Sequence, residues 1–193
     1  MNQLTLEQLI QNIQSEDHNI RAAARDQAGM VGAVAVRPLG EIAAGDNFEV
    51  ARAANRAIQN IVYFTGRPGA EKEAAAVAAE LLGLLDDSNP TQLRKDALWM
   101  IWQISGEQAT RRVATCLQDP AIAEDARMAL ERLPGEGATA ALQEAFDRAS
   151  EEDRPALAYS LGMRGVSVEG VPDLRLQGVK PSTVVPESTS ATQ

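Results

Sequence analysis

Five segments of this 193-residue chain share one pattern, an apolar helical run with paired small residues that closes on a glycine. They are IRAAARDQAGMVG (20–32), VARAANRAIQNIVYFTG (50–66), LRKDALWMIWQISG (93–106), IAEDARMALERLPG (122–135) and RPALAYSLGMRG (154–165). The closing glycines are Gly32, Gly66, Gly106, Gly135 and Gly165. A period of roughly 30 to 40 residues is that of stacked supersecondary units, each too small to bury its apolar face alone. Glycine suits the end of each run because the residue after a last helical turn often turns left-handed. The pattern therefore predicts an all-α chain of helical pairs.

Each of the first four glycines is followed by a second amphipathic segment: AVAVRPLGEIAAG, AEKEAAAVAAELLGLLDD, EQATRRVATCLQD and ATAALQEAFDRAS. The links between units are acidic or carry proline: Gly45-Asp46-Asn47, Asp86-Asp87-Ser88-Asn89-Pro90, Asp119-Pro120 and Ser150-Glu151-Glu152-Asp153. Anionic and amide oxygens fit helix N-termini, where N–H groups lack partners and the dipole is positive. A further helix over 4–14 is expected to cap the first unit. Alanine supplies much of the apolar content and only 4% of the chain is aromatic, which favours closely approaching helices over strands.

An Asp-rich turn, an Arg with Ala at helical spacing, a Leu or Ile with Gly, then a second helix ending in Leu, resembles HEAT repeats. The likeness is closest to the bacterial phycobilisome-lyase-like subclass, is clearest over DPAIAEDARMALERLPGEGATAALQEAF, and covers residues 16–165. It implies a right-handed α-solenoid of about five helical pairs and a protein-binding scaffold. It departs from the family in the fifth unit, where only EGVPDL stands in place of a second helix. Residues 1–176 are read as one solenoid domain. Residues 177–193, rich in Ser, Thr and Pro, are read as a disordered tail, the alternative being a short extended segment, carried by Leu174, Leu176 and Val179, that lies over the open last repeat.

A formal charge of −9 and a pI near 4.7 argue against nucleic acid and anionic membranes as partners. No stretch approaches the roughly 20 apolar residues of a spanning helix, the N-terminus lacks a signal-peptide pattern, and one cysteine allows no disulfide framework. A cytoplasmic location is expected, as a monomer or weak homodimer. Catalysis is not expected. The lone His18 sits in a turn and Cys116 on an apolar face with Val113 and Leu117. The acidic clusters read as solvated turns, and neither a metal nor another cofactor is implied. Two further readings come from the resemblance: a lesion-binding or glycosylase-like module on DNA, opposed by the acidic charge, and a bilin-handling, lyase-like protein.

Candidate binding residues come from helical projection. Over 93–104, Leu93, Ala97, Met100, Ile101 and Ile104 form a core stripe, and Trp99 and Trp102 lie on the other side. Over 50–64, Ala54, Ala57, Ile58, Ile61 and Phe64 project inward, whereas Arg52, Arg56, Gln59 and Tyr63 project outward. Aligned repeats place Trp99 with Gln59, Glu131 and Tyr159, and Lys95 with Arg25, Asn55 and Arg127. Two rows follow, one mixed with aromatics and one basic or polar. Trp, Tyr and Arg dominate interface hot spots, so Trp99, Trp102, Tyr63, Arg56, Lys95, Arg127 and Tyr159 are the candidates. The competing expectation is that the basic row only pairs with the acidic turns. Nine acids against four arginines between Pro120 and Pro155 would complement a basic protein partner.

Overall fold

The computed structural model describes residues 4–170, and among them every regular element is helical. Ten α-helices run α1 Leu6–Ile13, α2 His18–Gln27, α3 Val36–Ala43, α4 Phe48–Thr65, α5 Glu71–Gly83, α6 Thr91–Ile104, α7 Thr110–Thr115, α8 Ala123–Arg132, α9 Glu136–Arg148 and α10 Arg154–Met163. Short 3₁₀ turns flank α2, α3 and α7. Most of EGVPDL, the segment that stands in place of a second helix in the fifth unit, and residues 177–193 lie outside the described residues.

Local chemistry sets the helix starts. Thr5 and Gln8 form a reciprocal capping box on α1, Asp17 caps α2 through the Asn19 N–H, and Asn47 caps α4 through the Val50 N–H. Further along the chain the acidic links do something else. Asp86 and Asp87 accept from Arg112 and Arg94, and Asp119 holds both the Ala121 N–H and Arg94. The chain turns left-handed at Gly32, Gly135 and Gly165. Gly66 keeps a helical backbone and Gly106 an extended one, and the left-handed residue of the second turn is Gly69. The glycine pattern thus marks all five turns but their geometry differs.

The even-numbered helices pack in sequence: α4 on α2, α6 on α4, α8 on α6 and α10 on α8. On the other side α3 packs on α5 and α7 on α9, while α3, α5, α7 and α9 each contact a neighbouring even helix. One continuous apolar cluster threads these layers from Leu9 to Leu161. Within it Leu93, Ala97, Met100 and Ile101 of α6 are buried and Ile104 packs at its margin, as the projection required. On α4, Ala54, Ala57, Ile58 and Ile61 are buried, but Phe64 is 39% exposed. Val62 and Thr65 fill the interior of that last turn instead. Val166 and Val168 fold back onto the cluster beside α10.

Candidate interaction surface

The C-terminal halves of α4 and α6 carry three exposed aromatic groups, Tyr63, Phe64 and Trp99. Tyr63 is 63% and Trp99 48% exposed, well above the range of a core ring. Trp99 meets Trp102 edge to face, with centroids 5.6 Å apart and planes at 83°, an arrangement that aromatic quadrupoles favour. A shallow groove of about 280 Å³ separates the two helix ends and is lined by Tyr63, Gly66, Arg67, Gln103 and Ile104. Gln103 donates from Nε2 to the Trp99 carbonyl at 2.9 Å, tying the groove wall to the indole's own helix.

Two arginines frame the patch. Arg67 lies 4.1 Å above the Phe64 ring while its guanidinium grips Glu73 at 2.9 Å. Arg132 reaches from α8 to 5.5 Å above Trp102. Gly29 explains how Phe64 fits its place, since a Cβ there would stand 2.6 Å from the Phe64 Cβ. Tyr63 and Phe64 on α4 and Trp99 and Trp102 on α6 thus place four aromatic groups on two consecutive first helices, with Arg67 and Arg132 at the edges.

Trp102 is the more enclosed of the pair. It packs against the core margin, and its Nε1 is buried without an acceptor. The neighbouring helix α8 supplies that cover, which a projection of α6 alone cannot include.

The basic and polar row behaves differently from the aromatic one. Arg127 is a correction: its residue exposure is 9%, so it is no surface candidate. Its guanidinium is held by Glu124, by Glu131 at 3.4 Å, by the Ala156 carbonyl at 3.4 Å and by the Ser160 hydroxyl. The Ser160 hydroxyl in turn donates to Glu131 at 2.8 Å. Glu124 keeps a carboxyl below its ordinary range because Arg127 donates to it, and the same contact raises Arg127. Lys95 is partly covered and pairs with Asp125 on α8 at 3.5 Å. Asn55 donates to Asp96 on α6 at 2.6 Å, and Asn60 of α4 to the Arg25 carbonyl at 3.0 Å. The row is therefore a ladder that ties each first helix to the next. The acids it meets lie on helices rather than in the turns, Asp96 and Asp125 on the next first helix and Glu124 and Glu131 on the helix of Arg127 itself.

The remaining candidates divide. Arg56 is exposed on α4 and enters no ion pair among the described residues, whereas Tyr159 is half-buried on α10. Three structural arginines were not foreseen. Arg94 is buried, reaching Asp87 at 2.9 Å, Asp119 at 2.7 Å and the Leu85 carbonyl. Arg164 closes the C-terminus of α8, donating to the carbonyls of Leu130, Glu131, Leu133 and Gly135. The third is Arg21, which donates to the Ser15 and Glu16 carbonyls. The only sequence signal for them is an arginine beside a turn, which by itself does not distinguish solvent from a carbonyl.

His18 begins α2 and is exposed, and Cys116 is buried, with burial pushing its thiol up. Among the described residues no cluster of three or more His, Cys, Asp or Glu is placed to hold a metal ion. No helix among them is long and apolar enough to cross a membrane. No protein-family model matches this chain, and neither does any curated protein.

Proposed function

We propose that this chain is a non-catalytic scaffold, a right-handed α-solenoid of the HEAT type with about five helical pairs, holding a protein partner in the cytoplasm. The observation that carries this reading is the exposed Tyr63–Trp99 patch on adjacent helices. Exposed aromatics flanked by arginine are the usual anchors of interfaces, because a large rigid ring gains contact area at little entropic cost. The serial packing of even-numbered helices supports the solenoid, since each unit then buries its face against the next. The placement of His18 at the surface and Cys116 in the core supports a role without chemistry.

Photo-crosslinking tests this reading. Benzoylphenylalanine at position 63, inside the patch, is compared with the same group at position 140, exposed on α9. The scaffold reading expects a discrete cross-linked protein species from native lysate at position 63 and none at position 140. Equal labelling at both positions, or none at either, counts against it.

A further inference from the structure

A second feature lies at the opposite ends of the same two helices. A cleft of about 470 Å³ opens between the N-terminal turns of α4 and α6 and the end of α3. That volume falls within the range of about 300–1,000 Å³ typical of clefts that take a small ligand or side chain. Phe48, Arg52, Asn55, Gln92, Asp96 and Asp46 are part of its lining. Phe48 is 72% exposed, the most exposed large apolar side chain among the described residues.

The ladder between first helices shows what this cleft lacks. Between α6 and α8 a carboxylate meets a cation, Asp125 with Lys95. Between α8 and α10 the guanidinium of Arg127 supplies the charge for Glu124 and Glu131. Between α4 and α6 the acid is Asp96, and its two oxygens accept only from neutral amides, Gln92 at 2.9 Å and Asn55 at 2.6 Å. Among the described residues Asp96 enters no salt bridge. The cation of the cleft, Arg52, is drawn instead to Glu49 on its own helix at 2.6 Å, and its guanidinium stands over one face of the Phe48 ring, 5.8 Å from the centroid. A half-buried carboxylate without a counter-charge is a costly arrangement that a cation from outside relieves. Burial holds the Asp96 carboxyl above its ordinary range, the amide donors oppose this, and Asp125 adds to it.

We propose that the cleft receives an arginine side chain from a basic segment of the protein partner, its guanidinium on the Asp96 carboxylate and its plane against the exposed Phe48 ring on the face away from Arg52. This rests on the reading of the chain as a protein-binding scaffold. Arginine fits better than lysine because a planar guanidinium forks onto a carboxylate and stacks on a ring in one pose. Asp46 at the rim adds a second negative charge, and the net charge of −9 favours approach of a basic segment.

The test uses the full ¹⁵N-labelled chain and the capped tripeptide acetyl-Gly-Arg-Gly-amide at low ionic strength. Saturable shifts are expected in the side-chain amides of Asn55 and Gln92 and in backbone amides of 46–52. Asp96→Asn is expected to weaken this binding by about tenfold, the scale of one ion pair. That variant keeps the helix link, because Asn55 Oδ1 has no partner and the Asn55 amide turns over to match. The control Glu151→Gln/Glu152→Gln removes two charges elsewhere and leaves the affinity unchanged. Shifts scattered over all acidic surfaces, equal binding by Asp96→Asn, or equal binding of the lysine tripeptide would each overturn the assignment. If the tripeptide fails while position 63 still cross-links a partner, the cleft assignment falls alone. If the tripeptide binds at Asp96 but position 63 cross-links nothing, the aromatic patch falls and the cleft stands.

Discussion

Trp99 and Trp102 share an edge-to-face contact at 5.6 Å, yet Trp99 is 48% exposed whereas Trp102 is partly buried, with Arg132 of α8 over its ring. The two indoles should therefore differ in fluorescence quenching. Trp102→Phe leaves an emission that iodide quenches readily, and Trp99→Phe leaves one that iodide barely reaches. Equal quenching in both variants would contradict the described burial.

Arg127 ties α8 to α10 through Ser160 and the Ala156 carbonyl. Arg127→Met keeps the stem but removes the charge facing Glu124 and Glu131 and the donor to the Ala156 carbonyl, leaving Glu131 only the Ser160 hydroxyl at 2.8 Å and Arg132 at 3.7 Å. A loss of about 2–4 kcal/mol in urea unfolding is expected. Hydrogen exchange should rise first in α10, the last described helix. Uniform exchange along the chain would show that the link is not local.

Arg94 and Asp119 predict an acid dependence. The Ala121 N–H and the Arg94 guanidinium hold the Asp119 carboxyl below its ordinary range. A depressed carboxyl stabilises the fold above the ordinary Asp range, and that stability is lost as pH falls through the lowered value. Arg94→Met should have a lower Tm at neutral pH and a flatter fall in Tm on acidification. An unchanged acid slope would contradict this coupling.

Asp96 predicts the opposite sign. Its raised carboxyl means the folded state binds the proton more tightly, so its contribution worsens as pH rises through the raised value. Asp96→Asn should match or exceed the wild-type Tm at neutral pH and lose the advantage in acid. A clear fall in Tm at neutral pH would mean that the carboxylate's charge is satisfied within the fold.

The helices and their order were legible because their signals are local: the glycine period, Asn47 at a helix start, and the apolar stripe of α6. The turns were legible only as turns, since Gly66 and Gly106 occupy positions that any residue adopts. Phe64 escaped because a stripe extrapolated over the 18 residues of α4 ignores where the neighbouring repeat ends. Arg127 escaped for a related reason. Its place on α8 faces outward only until α10 arrives with Ser160 and Glu131 closes behind it. Tyr63 and Trp99 were legible because no adjacent helix covers them. Asp96 escaped because its missing cation becomes evident only beside the links made by Lys95 and Arg127.

The Tyr63–Trp99 patch is proposed as the anchor for a protein partner. Affinity capture from native lysate with wild-type chain and with Tyr63→Ala/Trp99→Ala tests it most directly, with circular dichroism and Tm as folding controls. Removing two exposed rings is expected to change stability by no more than about 1 kcal/mol, while removing two anchors weakens binding by about tenfold or more. A partner is expected to be retained by the wild type and lost from the double variant, without any change in helix content. Retention of the same partner by a folded double variant would contradict it.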